Sequence, residues 1–313
     1  MGGIPDDGRP VLLVLRALKL GDLLVAVPAL HALRRAYPGH RLLYAAQGWL
    51  ADAVALVRGY DLLPVHGLDE PLSLRPGAVD VAVNLHGRGP ESQSRIEALE
   101  ANETISHRSD RSDGPVWLDG IHERERWARL LKWHGINADP LDLSLSAPGV
   151  PTRQPGATVV HVGAAYGSRL WPAERFAEVS MRLGEAGHRV VFTGGAGDRD
   201  RALGVAAKSG ARSSAVLAGR QSLADFAALI AAARLVVSAD TGAAHLASAY
   251  GRPSVVLFGP AAPEEWGPPP GPHVVLTKAE LRRGDTFSEV PDPALLAVSV
   301  QDVLDAVRDL GLL

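Results

Sequence analysis

Residues 235–260 read LVVSADTGAAHLASAYGRPSVVLFGP, and at their centre Asp240, Thr241 and Gly242 stand where an apolar run stops and a helical pattern starts. A helix opening there aims free backbone N–H groups and the positive end of its dipole above the strand, which suits a phosphate. Asp240 or Thr241 would serve equally as the helix cap. Asp22, in Leu20-Gly21-Asp22, poses the same choice: a carboxylate presented at a strand end, or an N-cap. Gly194-Gly195-Ala196-Gly197-Asp198 is a third small turn after an apolar run. It does not satisfy G-x-G-x-x-G, so a nicotinamide dehydrogenase loses its main support. Asp198-Arg199-Asp200 has the form of a D-x-D metal site, although two solvated charges at a helix start account for it. The 11 histidines show no zinc-like spacing, and His86 and His161, which end strands, have the best claim to a site.

The elements that must hold these residues alternate strand and helix twice over. Apolar runs at 11–15, 41–46, 62–65 and 79–85 are separated by helical patterns at 23–37 and 50–58. Residues 91–119 turn polar and read as exposed and mobile, and 122–133 as an amphipathic helix. The rhythm restarts with strands at 158–162, 189–193 and 216–219 and helices at 172–186, 199–209 and 223–233. A Pro-rich loop is expected from 260 to 272 and a final helix over 295–310. This predicts an α/β protein with open parallel sheets whose functional loops lie at the strands' C-terminal ends. The stretch LSAPGVPTRQPG places a boundary between an N-terminal domain, residues 1–150, and a C-terminal domain, residues 151–313, with a cleft between the two sheets as the binding site. The last helix is free to pack back on the N-terminal domain.

Composition narrows the classes. With 313 residues, 46% hydrophobic and 21% charged, the chain is long enough for two cores and of ordinary globular make-up. A net charge of −3 argues against nucleic acid as the main partner. The absence of cysteine excludes disulfides, thiolate metal sites and a Cys nucleophile. MGGIPDDGRP fits neither a signal nor a transit peptide, and no apolar run is long enough to span a bilayer, so the expected place is the cytoplasm with at most peripheral contact at the inner face of the membrane. All but four of the 32 Lys plus Arg are Arg, which discounts any single Arg outside a motif.

LKLGDLLVAVPALHALRRAYP, DVAVNLHG, HERERWARLL, HVGAAYGSRLWPAERFAEV, FTGGAGDRDRA, SADTGAAHLASAYGRPSVVLFGP with EEWGPP, and PDPALLAVSVQDVLDAV occur in that order. Together they resemble glycosyltransferase family 9, the ADP-heptose:lipopolysaccharide heptosyltransferase type. The resemblance implies a GT-B fold of two Rossmann-like domains and an inverting, metal-independent transfer of a heptose, with ADP-heptose as donor and no cofactor. The acceptor would be a glycan, lipid-linked or small-molecule hydroxyl; the sequence does not read out the oligomeric state, and monomer is the default. Asp22 matches the family's base. Arg169, Asp240, Thr241, Gly242, Ala243, His245, Gly163 and Ala164 match positions around the donor diphosphate and sugar. Gly194, Gly195, Asp198 and Leu217 lie where the nucleoside should rest, although Gly-Ala-Gly-Asp departs from the commoner Gly-Gly-Pro plus acid. Lys19, Gly21, His86 and Arg88 are the acceptor-side candidates. A same-fold transferase of another nucleotide hexose and a non-catalytic nucleotide-binding protein are the alternatives. His31 is expected at the surface or between domains, Arg34, Arg35 and Arg124 to Arg129 on solvated helix faces that could meet an anionic acceptor, and Trp171 and Trp266 in packing, with Trp266 also a cleft candidate.

Overall fold

The computed structural model describes residues 8–313, so the reading of the extreme N-terminus lies largely outside the described residues. Two compact units result, one ending at Ser146 and the other beginning at Ala147.

The first unit is a five-stranded parallel sheet, ordered β3-β2-β1-β4-β5, of β1 (Val11–Leu15), β2 (Arg41–Ala46), β3 (Tyr60–Pro64), β4 (Val81–Asn84) and β5 (Glu103–Ile105). Central β1 sets Leu13 beside Leu43 on one flank and Ala82 on the other, all buried, as continuous apolar strands covered on both faces require. Helices α1 (Leu20–Ala36), α2 (Ala51–Val57), α3 (Pro90–Glu97) and α4 (Glu123–Trp133) cover it. The chain moves outward from β1 through β2 and β3, then returns to the other side of β1 with β4. This reversal opens a crevice beyond the C-terminal ends of β1 and β4, where open α/β sheets bind ligands.

The second unit repeats the principle with a different order, β10-β9-β8-β6-β7. Its strands are β6 (Thr158–His161), β7 (Val190–Thr193), β8 (Leu235–Ala239), β9 (Ser254–Leu257) and β10 (His273–Leu276). The reversal falls between β6 and β8. Helices α5 (Ala173–Glu185), α6 (Arg199–Lys208), α7 (Leu223–Ala231), α8 (Gly242–Ala249), α9 (Pro263–Trp266), α10 (Pro293–Leu296) and α11 (Val300–Asp309) complete it. Trp171 and Phe176 pack edge to face at 4.9 Å in its core, with Val303, Leu304 and Val307 of α11. The apolar face of the last helix is thus taken up by its own unit.

Several expectations are corrected. Residues 91–119 are not an exposed mobile stretch: they carry α3 and β5, and Ser106 and His107 are buried. Residues 216–219 form only a single bridge, Val216 to Phe192, whereas the Pro-rich loop contains α9 and leads directly into β10. The final helix is two helices, because the Ser299 hydroxyl accepts from Asp302 N at 3.1 Å and starts α11 afresh. His31 is buried with Nδ1 3.0 Å from Asp142 Oδ1, and Arg124 and Arg126 are buried rather than solvated.

A long irregular segment after β10 is tied to the turn at Gly167–Arg169. Ser168 N donates to Ser288 O at 2.7 Å, its hydroxyl donates to Thr286 O at 2.9 Å, and Asp292 N donates to Ser168 O at 3.0 Å. Buried Asp292 in turn accepts from the backbone of Arg283 and Ala294. A Cβ on Gly167 would overlap the Glu289 carbonyl, so this approach needs glycine.

Candidate active site

In the second unit the loops at the switch point hold most of the donor-side candidates. Thr241 caps α8: its hydroxyl accepts from Ala243 N at 3.3 Å and lies 2.8 Å from the Ser238 hydroxyl. Ala243 N is taken by the Thr241 hydroxyl and Ala244 N and His245 N by the Thr241 carbonyl, so of the first turn the Gly242 N–H is left for an anion. Asp240 is only 3% exposed. Arg169 Nη1 donates to its carbonyl at 3.3 Å and stands 3.4 Å from Oδ2, while His245 Nε2, on the first turn of α8, stands 3.5 Å from Oδ1. Oδ2 nevertheless makes no hydrogen bond, and neither does Arg169 Nε, so charge rather than directed bonding holds the pair. The Arg169 side chain keeps about a quarter of its surface open, 27%. Arg169, Asp240, Thr241, Gly242, Ala243 and His245 therefore form one cluster with its positive groups beside the start of a helix.

The Gly-rich turn after β7 forms a second cluster. Asp198 Oδ2 accepts from Gly195 N at 2.8 Å, and a Cβ at either Gly163 or Gly194 would overlap the Asp198 side chain. Asp198 thus clamps the β6 and β7 loops together. Leu217 N donates to Phe192 O at 2.8 Å and Gly219 N to Gly194 O at 3.1 Å, stitching the 217–219 stretch to the same turn. Ala164 is half-buried in the β6 loop. His161 meets Thr193 Oγ1 at 3.0 Å, and burial pushes its imidazole down to about 4, so it is neutral at pH 7. Sequence reasoning passed over Arg201 of α6, which donates to Val162 O at 2.8 Å and to Trp171 O and so spans the base of the loop bearing Arg169.

In the first unit the residues after β1 and β4 converge on a buried cation that sequence reasoning did not single out. Arg16 follows β1 directly and is 2% exposed. Its Nε donates to Asp22 O at 2.6 Å, its Nη1 donates to Leu85 O, and its Nη2 lies 3.5 Å from both Asp22 Oδ1 and Glu123 Oε2. The guanidinium sits 4.8 Å from the Trp127 ring centroid. Glu123 also accepts from Arg126 Nε at 2.5 Å. A charged residue directly after a buried apolar strand was the available signal.

Asp22 is the third residue of α1, and its Oδ2 accepts from Lys19 N at 3.1 Å, as in a capping box. A quarter of the side chain stays exposed. His86 Nδ1 accepts from Ala17 N at 3.2 Å, which leaves Nε2 to carry the proton. Burial, then the Arg16 charge, pushes His86 down to about 4, so it presents a neutral N–H donor at pH 7. Lys19, Gly21, Asp22 and His86 thus share the rim of one crevice. Arg88 stands apart, exposed over the Trp117 ring at 5.7 Å and 3.8 Å from Asp119. Among the described residues, no group of three or more His, Asp or Glu is placed to hold a metal ion, and no helix is long and apolar enough to cross a membrane.

Residues 142–290 match the sequence profile of glycosyltransferase family 9 (heptosyltransferase). The chain is 31% identical over 158 residues to lipopolysaccharide heptosyltransferase 2 of Salmonella typhimurium, a match spanning 47% of this chain and 44% of that protein, less than half the relative's length. In fold it is similar to a family 9 glycosyl transferase from Veillonella parvula, with a TM-score of 0.71 at 20% identity, covering 98% of both chains. An E. coli heptosyltransferase solved with ADP gives a TM-score of 0.71 at 19% identity over 96% of this chain and 99% of the other. Asp22 and Arg16 lie outside the residues matched by the family profile. Those residues, just under half of the chain, contain the whole donor-side cluster and match glycosyltransferase family 9, and the chain carries the two-sheet GT-B fold.

Proposed function

We propose that this protein is an inverting, metal-independent glycosyltransferase that moves a heptose from ADP-heptose onto a hydroxyl of a lipopolysaccharide inner core. The observation that carries the proposal is the Arg169–Asp240–Thr241–His245 cluster at the β6/β8 switch point, inside the residues that match the heptosyltransferase family. The names of the relatives support the sugar, and the ADP-bound E. coli structure supports the nucleotide.

Departure of a nucleoside diphosphate builds negative charge on the leaving oxygens, and fixed donors aimed there stabilise it without reorganising. Arg169 and the Gly242 N–H at the start of α8 supply that positive character, so the leaving group needs no metal counter-ion. The Asp198 clamp shapes the nucleoside end. On the first unit Asp22 takes the proton from the attacking hydroxyl, and the neutral His86 donates Nε2–H to an acceptor oxygen. A single displacement by that hydroxyl inverts the anomeric carbon.

Asp22→Asn tests the assignment, because the amide preserves size but cannot accept the proton. Transfer from ADP-heptose to a heptose-free lipopolysaccharide core should fall by about two to four orders of magnitude while ADP affinity by calorimetry stays unchanged. A full transfer rate in this variant would sink the base assignment.

A further inference from the structure

We propose that Arg16 is the positioning residue of the transfer reaction, fixing the Asp22 carboxylate in the orientation from which it takes the hydroxyl proton. The inference rests on Asp22 being the base.

A buried guanidinium is not explained by packing. Removing the charge from water is costly, and an apolar side chain of similar volume is often as good or better for stability. What distinguishes Arg16 is where its donors go. One is on the Asp22 backbone carbonyl at 2.6 Å, one is 3.5 Å from the Asp22 carboxylate, and one is on Leu85 O at the end of β4. The side chain therefore joins the first turn of α1 to both strand ends that frame the crevice. The planar fork of arginine reaches three directions at once, which the point charge of lysine cannot do.

Arg16 is itself immobilised. Glu123 Oε2 stands 3.5 Å from its Nη2, the Trp127 ring covers it at 4.8 Å, and Glu123 is held in turn by Arg126. The charged and titratable groups facing Asp22 are Arg16, His86 and Tyr44, with the Lys19 N–H on Oδ2. Arg16 at Oδ1 and Lys19 N at Oδ2 hold both oxygens, and the exposed quarter of the side chain is what remains for substrate. The β1 and β4 loops are stitched a second time by Ala17 N donating to His86 Nδ1, so the neutral His86 donor depends on the same frame.

The test uses the full-length protein with ADP-heptose as donor and a heptose-free lipopolysaccharide core as acceptor. In Arg16→Met, kcat should fall by about a hundredfold, the loss expected from misplacing a reacting group by an ångström, while the affinity for ADP changes less than twofold. Arg16→Lys should recover part of the loss. Arg16→Ala should regain activity on adding millimolar guanidinium ion, a response that a merely structural residue does not give. If Arg16→Met does not fold, the Arg16→Lys split between kcat and ADP affinity and the guanidinium rescue carry the test. A kcat within twofold of the parent, a parallel loss of ADP affinity, or no rescue would overturn the proposal. Asp22→Asn separates the two failures: if it retains transfer, the base assignment falls and Arg16 with it. If Asp22→Asn is inactive and Arg16→Met is not, the positioning role alone is wrong.

Discussion

Arg169→Met offers the sharpest quantitative test, because it can be read in stability before any substrate is added. Arg169 Nη1 lies 3.4 Å from Asp240 Oδ2. At an effective dielectric of about 20, two unit charges at that separation attract by about 5 kcal/mol. The missing hydrogen bond and the partial exposure of Arg169 reduce this, and losing one partner of a wholly buried pair typically costs about 3–5 kcal/mol. Arg169→Met should therefore destabilise the protein by about 2 kcal/mol, chiefly by leaving the Asp240 carboxylate buried with only His245 beside it. Asp240→Asn should cost less than about 1 kcal/mol, since Arg169 keeps its bond to the Asp240 carbonyl at 3.3 Å. In the double variant no buried carboxylate is stranded, so the loss should be smaller than for Arg169→Met alone, with a coupling of about 1–2 kcal/mol. Urea unfolding of the four proteins measures it. A coupling below about 0.5 kcal/mol would show that the two charges do not support one another and refute the electrostatic account. ADP affinity should meanwhile fall about ten- to hundredfold in Arg169→Met, the worth of a charge-assisted contact to phosphate.

Two further expectations concern the nucleoside turn and acid. Gly163→Ala places a methyl on the Asp198 carboxylate; calorimetry should show at least a tenfold loss of ADP affinity, with far-UV circular dichroism unchanged, and full affinity would remove the Asp198 clamp from the nucleotide site. His86, His107 and His161 are all lowered to about 4 by burial, from 6.5 in the unfolded chain. Their neutral forms favour the fold above pH 6.5, and that stability is lost as pH falls from 6.5 to 4, at up to about 1.4 kcal/mol per pH unit for each group. Because neither ring nitrogen of His107 has a hydrogen-bond partner, His107→Phe should cost little at pH 7.5 and flatten the acid loss in urea titrations, and an unchanged acid slope would refute its share.

How much of this was readable in the sequence depended on whether local chemistry or distant packing decided each feature. The turns at Asp240-Thr241-Gly242 and at Gly194 to Asp198 announce themselves, because small residues between an apolar run and a helical pattern have few other uses. The choice between cap and anion site was not legible, because it turns on which N–H groups the cap consumes: Thr241 takes those of Ala243, Ala244 and His245. Arg16 was hidden by composition: in a chain where 28 of the 32 basic residues are Arg, a charge directly after an apolar strand is easily passed over until its burial is seen. Arg124 and Arg126 misled for a related reason, because a helix with charges on every turn looks solvated whatever covers it. The Pro-rich stretch concealed β10, an edge strand of four residues whose register is set by β9 rather than by its own pattern.

The ties between Ser168 and the segment at 286–292 have a consequence for the order in which the protein becomes competent. The turn that carries Arg169 is held by carbonyl and amide groups about 120 residues later, as in the bond from the Ser168 hydroxyl to Thr286 O across 118 positions, and Trp171 Nε1 donates to Val298 O across 127. Contacts this distant form late, since the loop must close before they contribute. During synthesis the sheet strands β6 to β9 can emerge and pair while the Arg169 turn still lacks its scaffold. The arrangement of that turn is thus completed late, only once the residues up to Val298 have left the ribosome.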